Sequence, residues 1–133
     1  MLSLPPSVRI YLSVESVDMR KGFDGLVAIV QHEWKLDPYS GHLFCFIGRR
    51  GDRIKVLMFD RGGFALYYKR LERGHFYLPP IGPKTERIML EGPQLAMLLD
   101  GIDVGRVGKP RRFEAPRLKE EREADRQDPR DGI

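Results

Sequence analysis

A chain of 133 residues, 41% apolar and 32% charged, holds a single domain with a real hydrophobic core. No run approaches the roughly 18 apolar residues that span a bilayer, and one cysteine, Cys45, excludes an internal disulfide. The net charge of +4 does not by itself name nucleic acid as a partner, but its distribution says more. From Asp18 to Lys84 there are 12 Lys/Arg against 7 Asp/Glu, and from Asp103 onward 9 against 8. The excess belongs to the folding part, which favours a basic face over a basic tail.

Met1-Leu2-Ser3-Leu4-Pro5-Pro6 lacks a basic n-region and a long apolar stretch, so a cytoplasmic location is expected, not secretion. Val8 to Val14 alternates as a first strand, with Pro5-Pro6 as its stop. Asp18 then suits a helix N-cap. Met19, Phe23, Leu26, Val27, Val30 and Trp34 follow on one face of a 3.6-residue period, so the spacing predicts a helix from Met19 to Lys35, ended by Asp37-Pro38. Gly22 and Gly25 are costly inside a helix and are expected at a close backbone approach. Arg20 and Lys21 lie off the stripe, as solvated charges or as contacts to phosphate or a partner.

Leu43 to Ile47 and Ile54 to Phe59 are short apolar runs around a Gly-bearing turn, the pattern of a hairpin whose strands are covered on both faces. Cys45 reads as a small buried hydrophobe. The tip carries Arg49, Arg50 and Arg53, with Lys55 just inside. It is either a phosphate contact or a charged turn that protects the hairpin edge. After Asp60-Arg61-Gly62-Gly63, the spacing of Phe64, Tyr67, Tyr68 and Leu71 favours a short helix with Gly74 as its C-cap. Leu66-Tyr67-Tyr68 also suits a strand. Lys69, Arg70 and Arg73 form a second basic cluster, favourable at a helix C-terminus in its own right. His75 to Leu78 reads as a strand stopped by Pro79-Pro80, Ile81 to Thr85 as a loop and Arg87 to Leu90 as the last strand. Gly92-Pro93 opens a final helix with Leu95, Leu98, Leu99 and Ile102 on its apolar face. The expected division is a domain over 1–103 and a charged, disordered or loosely helical tail over 104–133, where Leu118 to Arg126 has no apolar face to bury.

No catalytic motif stands out. His32, His42 and His75 are scattered without zinc spacing. Asp18, Asp24, Asp60 and Glu72 are the carboxylates to weigh for a two-metal site, with Asp60 and Glu72 the better placed. Asp18 and Asp24 have structural readings, and no catalytic residue, metal or cofactor is expected.

Several ordered blocks resemble one family. They are Asp18-Met19-Arg20-Lys21-Gly22-Phe23-Asp24-Gly25-Leu26, Ser40 to Phe44, Arg49 to Leu57, Lys69 to Gly74, and Gln94 to Asp103. Together they resemble the small TnpB accessory protein of bacterial insertion sequences of class sixty-six, which is distinct from the RNA-guided nuclease of the same name. The resemblance covers residues 4 to 103. Phe59, Tyr67 and Leu78 stand where relatives often carry tryptophan, and each is large enough for a shared core. The resemblance implies a role in transposition beside a larger transposase that holds the catalytic carboxylates, with that transposase and the other accessory proteins of the same element as partners.

The expected architecture is therefore α+β, a mostly antiparallel sheet of about five short strands with two or three helices packed on it. The expected function is a non-enzymatic transposition accessory protein. It would contact transposon-end DNA through Arg20, Lys21, Arg49, Arg50, Arg53, Lys55, Lys69, Arg70 and Arg73. The alternative is an adaptor that assembles the transposase complex without touching DNA, with Gly22, Gly25 and the aromatics near Phe64 as its contact. No membrane partner is expected. A helix from Met19 with Phe23 inward makes Phe23→Ala cost about 3–5 kcal/mol.

Overall fold

The computed structural model describes residues 7–78 and 85–102. The expectations for Pro5-Pro6, Pro79-Pro80, most of the 81–85 loop and the 104–133 tail lie outside the described residues. Five strands form one sheet, β1 (Ile10–Ser13), β2 (Leu43–Ile47), β3 (Arg53–Asp60), β4 (Gly63–Arg70) and β5 (Arg87–Leu90). Their spatial order is β4-β3-β2-β1-β5. Only β1 and β2 run parallel. The connection between them carries α1 (Phe23–Ala28) and a π-helical turn (Ile29–Glu33), as a parallel crossover needs a long connection. The α2 helix (Gly92–Leu99) follows β5. This is the expected α+β class with a mostly antiparallel sheet.

Strand alternation divides the core in two. Ile10, Leu12, Leu43, Cys45, Ile54 and Val56 face Leu95, Leu98 and Leu99 of α2, with Phe76 beside them. Tyr11, Phe44, Phe46 and Leu57 face Leu26, Val30 and Trp34. Covered on both sides, β2 is buried at all its positions, which is why Leu43 to Ile47 is a continuous apolar run rather than an alternating one.

The α2 helix begins on a reciprocal capping box between Glu91 and Gln94, and Gly101 past its end takes φ +74°. Such a left-handed residue is the usual glycine stop of a helix.

The first helix departs from expectation. It starts at Phe23, with Gly22 as N-cap. Asp18 spends its carboxylate one turn earlier, where Oδ1 accepts from the Arg20 backbone N–H at 2.9 Å, an Asx-type turn. Two carbonyls that a helix from Met19 would aim along its own axis, those of Met19 and Lys21, instead accept from Lys55 Nζ. Phe23 is consequently 46% exposed and is not a core residue. Gly22 has open space where a Cβ would stand, and Gly25 meets only the Lys21 stem, so neither marks a close approach to another element.

The buried positions are Leu26, Val30 and Trp34, spaced by four. On an α-helix each such step drifts by about 40°. The π turn, with Trp34 N–H bonded to the Ile29 carbonyl at 3.0 Å, widens the helix and keeps Trp34 over the sheet. There its ring stacks on Phe46 with centroids 5.3 Å apart. Lys35 then ends the helix at φ +56°.

The segment expected as a second helix is β4. Arg61 and Gly62 take φ +46° and +88°, and Asp60 pairs directly with Gly63. That is the two-residue type I′ turn, whose twist matches the flanking strands. It starts β4 in register with β3, and pairing continues to Arg53 against Arg70. Sheet pairing overrode the helical spacing of Phe64, Tyr67 and Leu71. Gly74 is left-handed as expected, at φ +83°, but in a loop. His75 to Leu78 forms no strand; Phe76 alone is buried, and its N–H bonds the Gly51 carbonyl. Phe59 is half-buried, while Tyr67 and Leu78 are 44% and 39% exposed, so the core does not need all three.

Trp34→Ala is expected to cost about 3–5 kcal/mol in urea unfolding, as a large buried aromatic does, and Phe23→Ala less than about 1 kcal/mol. Equal losses in the two variants would contradict this packing.

Candidate nucleic-acid interface

At the carboxyl ends of β1 and β2, residues 16–20, 48–50, 52 and 53 line a cleft of about 420 Å³. Four arginines line it, Arg20, Arg49, Arg50 and Arg53, with Asp18 and Asp52. Two sequence-distant segments meet here because the parallel pairing runs on past the strands. Val17 bridges Gly48, and its N–H donates to the Ile47 carbonyl at 2.9 Å. Gly48 permits the approach, since a Cβ there would stand 2.5 Å from Met19 Cγ.

Backbone hydrogen bonds hold the turn. Gly51 N–H donates to the Gly48 carbonyl and Gly48 N–H to that of Arg53, each at 2.9 Å. Arg49 and Arg50 occupy the two central positions, and Gly51 at φ +79° supplies the left-handed residue that follows. Leu71 and Phe76 N–H groups clamp the turn from outside, bonding the carbonyls of Asp52 at 2.8 Å and Gly51 at 2.7 Å.

The nine cations expected at the interface divide into distinct environments. Arg49 and Arg50 are exposed, and neither side chain has a hydrogen-bond or ion-pair partner among the described residues. The Arg20 side chain is 92% exposed and held by Asp18 at 2.7 Å. The Arg20 side-chain hydrogen bonds hold the Asp18 carboxyl down at about 2, against an ordinary 3.8. Arg53 is half-buried. Its Nη1 lies 3.4 Å from the Tyr68 hydroxyl, and its Nε is buried without a partner, as is Asp52 Oδ1. Arg70 pairs with Glu72 at 3.0 Å and stands across from Arg53. The β4 strand therefore brings part of the second basic cluster beside the first, where a helix would have kept them apart. Lys21 and Arg73 are exposed and do not line the cleft.

Lys55 and Lys69 are placed differently. Lys55 is 7% exposed. Its Nζ donates to the Met19 and Lys21 carbonyls at 2.8 Å each and lies 4.8 Å from the centre of the Tyr68 ring, a cation–π contact. Lys69 Nζ donates to the Leu99 carbonyl at 2.6 Å, satisfying the C-terminal end of α2. Both ammonium groups are occupied with structural partners. Tyr68 and Asp52 were missing from the sequence-based set. Reading Arg61-Gly62 as a two-residue turn would have paired Tyr68 with Lys55 directly.

The chain matches the family described as IS66 Orf2 like protein over residues 8–109. It belongs to that family. Two relatives are uncharacterized proteins of Sinorhizobium fredii (strain NBRC 101917 / NGR234). One, y4hO, is 41% identical over 103 residues, 77% of this chain and 88% of that protein. The other, y4jC, is 36% identical over 100 residues, 75% and 84% of the two chains. No solved structure matches. Membership in the IS66 Orf2-like family makes this chain a transposition accessory protein.

The carboxylates weighed for metal in this IS66 Orf2-like chain do not converge. Asp60 closes the β3–β4 turn and Glu72 lies past the other end of β4, roughly 24 Å or more away at about 3.4 Å per residue. Among the described residues no three His, Cys, Asp or Glu side chains group as metal ligands would.

Two outcomes follow from the geometry. Lys55→Ala is expected to cost about 1–3 kcal/mol in denaturant unfolding, because two inward carbonyls lose their donor; the Arg49→Ala/Arg50→Ala double variant is expected to stay within about 0.5 kcal/mol of the parent per site. For Asp18, the carboxyl is lower in the folded chain than in the unfolded one. The pairing is thus present above the ordinary carboxylate range and is lost as pH falls through about 2. An NMR titration of the Asp18 carboxyl should find it there, and Arg20→Ala should return it toward 3.8.

Proposed function

We propose that this protein is a non-enzymatic accessory factor that holds the DNA of its element's ends by the backbone. Arg20, Arg49, Arg50 and Arg53 make the contact at the cleft, and Arg70 flanks it. The observation that carries the reading is convergence: arginines from two distant segments line one concavity, and the two at the tip have no protein partner among the described residues. Guanidinium groups so placed neutralise phosphates and release counterions, which supplies affinity without base readout. Asp18 orients Arg20, and Asp18 and Asp52 do not cancel the site, because the four arginines outnumber them. Lys55 and Lys69 drop out of the contact, and Lys21 and Arg73 extend it along the surface. The protein acts in the cytoplasm beside the transposase. Among the described residues no helix is long and apolar enough to cross a membrane.

The test is a titration of fluorescent terminal DNA across salt concentrations. Replacing Arg49 and Arg50 together by Ala should weaken binding and lower the salt slope by about 2, one unit for each lost phosphate contact, at unchanged melting temperature. Unchanged slope and affinity in a folded double variant would overturn the reading.

A further inference from the structure

The β4 strand is an edge of the sheet, and among the described residues its only blunting charges are Lys69 and Arg70 at its carboxyl end. It is eight residues long, contains no proline and pairs with β3 along its whole length without a bulge. The opposite edge, β5, has only four residues. Long, regular edges are ready templates for pairing, and proteins ordinarily shorten, charge or cover them.

The direction of the β4 groups that do not bond β3 is fixed. Asp60 and Gly63 close a type I′ turn, so they form a hydrogen-bonded pair, and such pairs alternate along an antiparallel ladder. Leu71 N–H bonds the Asp52 carbonyl, which has the same parity. The odd-numbered residues of β4 therefore bond β3. The N–H and C=O groups of Phe64, Leu66, Tyr68 and Arg70 point away from the sheet.

We propose that these edges pair in a symmetric dimer, β4 of one copy antiparallel to β4 of a second, giving a continuous ten-stranded sheet with Tyr67 on the two-fold axis. The pairing is independent of the DNA reading. A two-fold perpendicular to the sheet matches residues whose numbers add to twice the central one. Centred on Tyr67, Phe64 pairs with Arg70 of the second copy, Ala65 with Lys69 and Leu66 with Tyr68. This register engages all four outward residues of each copy. It also separates like charges. Lys69 and Arg70 of one copy meet Ala65 and Phe64 of the other, and Arg70 gains an aromatic neighbour. Tyr67 and Tyr68, 44% and 50% exposed, supply large rings at the centre of the contact, as interface cores do.

Cysteine placement makes the test direct. Cys45 is the single native cysteine and is fully buried. In the full-length Tyr67→Cys variant the two introduced thiols would face each other as a non-hydrogen-bonded pair, with Cα atoms about 4.5 Å apart, inside disulfide range. Mild oxidation of that variant at micromolar concentration should give a covalent dimer at least tenfold faster than the same treatment of Gln31→Cys, whose thiol lies on the exposed side of the π turn. Sedimentation equilibrium should find the parent dimeric, and Tyr67→Lys, which opposes two cations on the axis, monomeric with native circular dichroism. A monomeric parent, crosslinking of Tyr67→Cys no faster than the control, or a dimer that survives Tyr67→Lys would each overturn the proposal.

Discussion

A buried ammonium decides the shape of the functional end of this protein. Lys55 lies on β3, beside the edge strand β4, and donates to two carbonyls of the segment between β1 and α1. Burying a charge is tolerable only when its hydrogen-bonding capacity is used. Here two carbonyl oxygens and the face of Tyr68 take that role. In return the Met19–Lys21 segment is pressed onto the sheet instead of coiling into the helix, and Arg20 is delivered to the rim of the cleft.

The second constraint is the parallel pair. Both β1 and β2 end on the same side of the sheet because they point the same way, so the loops that follow them meet. The Val17–Gly48 bridge extends that alignment, and the missing side chain of Gly48 lets Met19 close over it. The four cleft arginines lie on those loops and at the start of β3. Their convergence follows from strand direction and one glycine, with no direct contact needed between the arginines.

Much of the fold was legible locally. The strands β1, β2, β3 and β5 and the helix α2 follow from apolar runs, turn glycines and a proline at the first helical position, since each of those signals acts within a few residues. The segment from Phe64 to Leu71 was not legible, because its apolar residues fit helical spacing and its aromatics fit a strand. The choice belonged to β3, a neighbour that offers a full ladder of hydrogen bonds after a tight turn. The start of the first helix was misread for a similar reason. Asp18 has the right chemistry for a cap, but it caps a turn, and Lys55 lies 37 residues further along the chain.

The sequence by itself determined the composition of the protein: an α+β domain, its family blocks and a set of basic residues without catalytic motifs. Only the tertiary structure decided which of those residues face solvent. Lys55 and Lys69 look like Arg49 and Arg50 in one dimension, as cations near turns and strand ends. In the fold the lysines bond carbonyls while those two arginines are exposed with no partner among the described residues, because strand alternation and pairing determine which side chains point into the protein, and that depends on partners distant in sequence.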